Sequence, residues 1–269
     1  MSEHDIDSSR APLLDHLIEL RQRLLYSVIA IAIAFVICFY FADQIFNVLL
    51  IPFEQAAGDK PELKLIFTAP QEYFFTQLKL ALFGALFIAF PVLASQIYMF
   101  VAPGLYKNER GAFLPFLLAT PILFLMGASL VFFLIMPLAL QFFLGMEQQG
   151  GEGQAAIELL PRVSEYLGLT MTLIFAFGLC FQLPVLMTLL GRAGLVTSQQ
   201  LRKGRKYAVV AVFAVAAVLT PPDIISQVGL GVPTLLLYEI SILSVALIEK
   251  KRREAAEESE AESGPDSVA

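Results

Sequence analysis

The sequence predicts an all-α membrane protein of six transmembrane helices, and three observations predict it. The 269 residues are 57% hydrophobic and 16% charged, whereas soluble domains are roughly half apolar and about a quarter charged. The apolar residues gather in six long runs rather than in short alternating segments. The lysines and arginines gather in alternate connections between those runs, which is the charge bias of cytoplasmic loops.

The first run covers 24–41, LLYSVIAIAIAFVICFYF. At ~1.5 Å per residue it approaches the ~30 Å hydrocarbon thickness. The opening MSEHDIDSSR is acidic and polar, without the basic stretch of a cleaved signal peptide. The run is therefore expected to remain as a membrane anchor. The second run is 74–100 with Pro91, and the third is 113–143 with Pro115, Pro121 and Pro137. The fourth is 166–190 with Pro184, the fifth is 207–220, and the sixth is 224–248 with Pro233. Each internal proline removes a backbone donor and bends its helix, so a curved, cupped bundle is expected. The fifth run is short and stopped by Pro221-Pro222. It implies either a locally thinned bilayer or shielding by neighbouring helices.

Orientation follows from the basic residues. Arg10, Arg21 and Arg23 precede the first run, and Lys107 and Arg110 follow the second. Arg192, Arg202, Lys203, Arg205 and Lys206 separate the fourth from the fifth, and Lys250 to Arg253 follow the sixth. Only Lys60, Lys64, Lys79 and Arg162 fall elsewhere. Six crossings with this bias place both termini in the cytoplasm. The other loops, 42–72 and 144–165, are acidic and read as caps over the outer face. Residues 1–253 are expected to form one domain, and the acidic tail 254–269 to be disordered.

Several chemistries are excluded. No G-x-x-x-x-G-K-[ST] occurs, so no nucleotide-binding loop is present. His4 and His16 both precede the first run, which leaves no intramembrane histidine for a protease dyad, haem or zinc. Cys38 and Cys180 lie in apolar runs as packing residues. No catalytic residue, metal, cofactor or nucleic-acid partner is expected.

Four features remain. Residues 12–23, PLLDHLIELRQR, place leucines on one face of an amphipathic helix lying on the cytoplasmic surface, either a plain interfacial anchor or a binding element. The loop Phe100 to Arg110, FVAPGLYKNER, sets Glu109 beside aromatic surface, where a carboxylate can engage arginine bidentately; an ordinary charged turn explains it equally. Gln182 and Glu239 are polar groups inside apolar runs. Glu239 is a functional candidate by default, and Gln182 is either structural glue or a partner contact. Asp223, in LTPPDIISQ, suits a cap for the sixth helix.

In order, HLIELRQRL, FVAPGLYKNER, AFGLCFQLPV, LRKGRKY and LTPPDIISQ resemble the TatC family, the signal-peptide receptor of the twin-arginine protein translocase. The resemblance runs from HLIELRQRL to LLLYEI. It implies a curved, glove-like bundle in the bacterial cytoplasmic (inner) membrane. It implies capture of twin-arginine signal peptides, association with TatA-type and TatB-type single-span subunits, a homo-oligomeric complex, and export of folded proteins by the proton-motive force. Carried over, the signal-peptide site falls on Glu19, Arg21, Phe100 and Glu109, and the partner-helix surface on the fifth and sixth helices. Asp223 matches the family's outer-side acid. Many members carry glutamate where this chain has Gln182, which keeps a polar contact and puts a proton-linked role in doubt. The alternative reading is a small ion-coupled transporter using Glu239. It predicts an internal repeat, and the sequence shows none.

Overall fold

The structure, a computed structural model, describes residues 3–58, 65–101, 110–148, 159–220 and 223–262. Nine α-helices account for most of these residues: α1 (Glu3–Tyr40), α2 (Ala42–Ala57), α3 (Pro70–Val101), α4 (Arg110–Leu130), α5 (Met136–Leu144), α6 (Val163–Cys180), α7 (Leu183–Arg192), α8 (Ser198–Leu219) and α9 (Ile224–Glu262). A π-helical turn, Val131–Ile135, joins α4 to α5. It lies just before Pro137, whose missing N–H leaves the carbonyl four residues back without its helical donor. Ile66 and Arg162 form an isolated parallel bridge. The helices group into two units, Met1–Pro121 with Glu147–Met171, and Ile122–Met146 with Thr172–Ala269. One domain was the expectation. The boundary falls inside α4 and inside α6, so no linker marks it in the sequence.

In the first unit α1 and α3 run antiparallel. Ala34, Ala85 and Ala89 are buried together between them, flanked by Ala30, Ile31, Phe35 and Leu93. Alanines let helix backbones approach closely where lipid gives no hydrophobic drive. The register is readable from three points. Gln77 Nε2 donates to Asp43 Oδ1 at 2.8 Å, Gly84 lies against Cys38, and Ala89 lies with Ala34. Beyond Tyr40, α2 buries Leu49 and Phe53. Tyr166 closes this end, its hydroxyl donating to Leu49 O at 2.8 Å and its ring meeting Phe53 edge-on. Glu72 ties the two connecting segments together. It accepts Thr68 N–H at 2.9 Å and the Ser164 hydroxyl at 2.5 Å.

In the second unit α6 meets the end of α4 through Gly127 and Gly178, and the buried ring of Phe124 lies over Gly178. Helix α6 breaks at Phe181-Gln182. Pro184 cannot donate to Cys180 O, and the chain tightens there with Gln182 N–H donating to Leu179 O at 2.9 Å. Helix α8 starts with a reciprocal cap between Thr197 and Gln200. It runs antiparallel to α9. Tyr238 donates to Leu201 O at 2.8 Å, and Phe213 lies on Gly231. At the other end Glu249 accepts Ser198 N–H at 2.9 Å and the Ser198 hydroxyl at 2.5 Å.

Two expectations change, and a third is met in part. The surface helix 12–23 is not separate from the first crossing. Between Leu13 and Tyr40 there is no glycine or proline, and α1 passes through both. The tail is helical as far as Glu262, because EAAEESEAE contains only strong or tolerable helix formers and Lys250 pairs with Glu254 at 3.5 Å. The first breakers after Pro233 are Gly264 and Pro265. Finally, five helical stretches among the described residues are long and apolar enough to cross a membrane: Leu17–Tyr40, Pro70–Phe100, Phe116–Leu144, Val163–Arg192 and Ile224–Ala255. The expected fifth crossing lies in α8, whose first turns carry Arg202, Lys203, Arg205 and Lys206.

Candidate functional site

Three of the four residues expected to form a peptide site are described, and all three lie at one end of the α1–α3 pair. Pairing Asp43 with Gln77, Cys38 with Gly84 and Ala34 with Ala89 keeps the antiparallel register nearly constant. Continued at ~1.5 Å per residue, that register sets Phe100 about level with Arg21 and Arg23, and Glu19 roughly one turn beyond. Phe100 is half-buried, and Arg21 is exposed. Glu109 lies outside the described residues, immediately before the first residue of α4, as do Pro103, Leu105, Tyr106 and Lys107.

Glu19 is neither fully buried nor free. Its side chain is 32% exposed and is held by Arg23, which is 22% exposed. The Arg23 Nε donates to Glu19 Oε1 at 3.0 Å, and Nη2 reaches the same oxygen. Arg21 cannot make this contact, because residues two apart point to different sides of a helix, whereas residues four apart are neighbours. Leu17, Ile18, Leu20 and Leu24 remain exposed around the pair. The arrangement is a carboxylate set among apolar side chains, with a half-buried aromatic ring at the same end of the unit. Such a surface suits a peptide that brings both positive charge and apolar side chains.

The profile of the family described as Sec-independent protein translocase protein (TatC) matches residues 15–233. The chain belongs to the TatC family. It is 49% identical over 253 residues to the TatC protein of Magnetococcus marinus, covering 93% of this chain and 90% of that one. It is 39% identical over 243 residues to the TatC protein of Aquifex aeolicus, covering 90% and 98%. A crystal structure of the twin arginine translocase receptor TatC superposes with a TM-score of 0.73 at 40% identity, over 86% of this chain and 98% of that one. This TatC-family chain is therefore a multi-pass membrane protein and a component of Sec-independent protein translocation.

The remaining expected residues lie apart from Glu19 in the chain and divide by environment. Glu239 pairs with Arg205 across α8 and α9, with Nη2 at 2.5 Å from Oε2, and both side chains are about half exposed. An acid already neutralised by a neighbouring guanidinium needs no transported ion to explain its presence in an apolar helix. Asp223 is 5% exposed and caps α9, its Oδ1 accepting Ser226 N–H at 2.6 Å. Its Oδ2 and the Ser226 hydroxyl are buried without hydrogen bonds among the described residues. Gln182 sits at the break before α7, partly buried.

The sequence reading missed both arginine partners. Arg23 was findable, because Glu19 and Arg23 have the i,i+4 spacing and order of a helical ion pair. Arg205 was not, since it lies 34 positions from Glu239 and meets it only through the packing of α8 on α9.

Proposed function

We propose that this chain is the twin-arginine signal-peptide receptor and core scaffold of its translocase, exporting folded proteins across the bacterial inner membrane at the expense of the proton-motive force. In this reading six helices cross the bilayer as a curved, glove-like bundle with both termini in the cytoplasm. Glu19 and Glu109 accept the two guanidinium groups of the signal peptide, and Phe100 and Arg21 shape the surface around them. The observation that carries the reading is that Glu19, Arg21 and Phe100 fall within about one helical turn of each other at one end of α1–α3, in a chain of the TatC family. Two adjacent guanidiniums need two acceptors, and charge-assisted contacts supply the specificity. TatA-type and TatB-type single-span helices would pack on α8 and α9, whose faces expose Val210, Val218, Leu236, Leu243 and Leu247. The complex would contain several copies of the chain. The role is that of a receptor rather than a catalyst, and it requires no cofactor.

The test is photo-crosslinking of a twin-arginine peptide to probes at Glu19, Phe100 and Glu109, repeated with E19Q and E109Q combined. The expected result is labelling at all three positions in the parent chain and its loss in the double variant, with membrane insertion unchanged. Undiminished crosslinking in the double variant rejects the site.

A further inference from the structure

We infer that Arg23 is a built-in competitor for the peptide site: a resident counter-ion that an arriving arginine must displace from Glu19. The inference rests on the receptor reading, and it deepens that reading by adding a residue that sets affinity and release. The pair is intramolecular, so Arg23 is always present at high effective concentration. Both of its contacts go to a single carboxylate oxygen, Nε at 3.0 Å and Nη2 beside it. A guanidinium arriving end-on can use both oxygens in parallel, which is the stronger arrangement. Displacement is therefore downhill for a well-placed arginine, but the net gain is smaller because the resident Arg23–Glu19 ion pair must first open.

Geometry also explains why the competitor is Arg23 and not Arg21. Arg23 lies one helical turn after Glu19 and is mostly covered, whereas Arg21 is exposed and has no ion-pair partner among the described residues. The Arg23 backbone carbonyl accepts the Ser27 hydroxyl at 3.0 Å, in the first turns of the apolar run. Once displaced, the guanidinium has a long stem with which to reach the interface. A receptor that must hand its cargo on gains from this arrangement. As the peptide leaves, Arg23 recloses on Glu19 and opposes rebinding.

The experiment is a thermodynamic cycle on the full chain in lipid nanodiscs, read by titration and by stopped-flow association and release of a fluorescein-labelled twin-arginine peptide. Arg23→Gln is expected to tighten binding about two- to fivefold, the range of a partly exposed helical ion pair, mainly by faster association, because no resident pair has to open first. Arg23→Lys keeps a cation with one point of contact, so its gain is expected to be smaller. In a Glu19→Gln background the gain from Arg23→Gln should vanish, because there is no longer a carboxylate to uncover. Unchanged or weaker binding by Arg23→Gln overturns the inference. So does an equal gain in both backgrounds, which is the signature of general charge removal. If Glu19→Gln alone leaves binding untouched, the site assignment itself fails, and it fails separately from the competition measured at Arg23.

Discussion

A single carboxylate at Asp223 fixes the start of α9, and its two oxygens do different things. Oδ1 accepts the Ser226 N–H, one of the donors that a helix leaves open at its first turn. Oδ2 is buried with no partner among the described residues. Replacing Asp223 with alanine removes the cap and is expected to cost about 1 kcal/mol. Asparagine keeps an oxygen for Ser226 and is expected to retain most of the stability. Unfolding of the two variants in mixed micelles checks this directly. Equal loss in both would show that charge, rather than capping, is what the position supplies. The sequence made this role legible, because an acid three residues ahead of Ser226 after two prolines is a start signal. Glu19 is reached differently, through the resemblance of HLIELRQRL to the TatC family. Local reading could not show that Glu239 is answered by Arg205, because that pairing exists only once α8 and α9 have packed.

The long apolar runs made most helices plain, and the breaks within them follow proline chemistry. Pro184 does more than bend the fourth run. It ends α6 and starts α7, because the carbonyl it leaves unpaired can be tolerated only where the chain tightens. Whether a proline bends, widens or breaks a helix depends on the packing around it, and one-dimensional pattern does not contain that information. Small residues behave similarly. Gly127, in Gly127-Ala128-Ser129, reads as a small-residue helix contact, whereas Gly178 reads as an ordinary member of its apolar run, and each marks a close approach. A Cβ at Gly127 would lie 2.6 Å from the carbonyl oxygen of Phe177, whereas one at Gly178 would meet the ring of Phe124. Backbone cannot rotate away as a side chain can. Gly127→Ala is therefore expected to destabilise by about 1–3 kcal/mol, the usual cost of overpacking, and Gly178→Ala by less. Denaturation midpoints of the two variants test the order. A reversed order would mean that α4 and α6 separate more easily than the Phe124 ring turns.

For the whole molecule, the decisive element is the one that the length-and-hydropathy criterion leaves out. Five crossings put the two termini on opposite sides of the membrane, and six put them on the same side. We propose that helix α8 is the sixth crossing. Its strongly apolar part, 207–219, reaches only ~20 Å, but the full 22 residues reach ~33 Å. Its partners supply the argument for a crossing. Leu201 meets Tyr238, Arg205 meets Glu239, and Phe213 meets Gly231, so α8 lies antiparallel along the same stretch of α9 that is apolar enough to span. A helix packed over that length beside a spanning neighbour is expected to traverse the same depth in the opposite direction. Its basic first turns do not forbid this. Arg205 is neutralised by Glu239, and long cationic side chains near a helix end can extend towards the interface. The expected topology therefore has both ends on the side enriched in lysine and arginine. Single cysteines placed at Arg10, at Leu195 and at Ser259, with Cys38 and Cys180 replaced by serine or alanine, should react with a membrane-impermeant maleimide in inside-out vesicles. In intact spheroplasts they should stay unlabelled, whereas a cysteine at Gln55 should show the reverse. Labelling of position 10 and position 259 from opposite faces would reduce the count to five. It would also leave α8 as a helix that enters the membrane without passing through it.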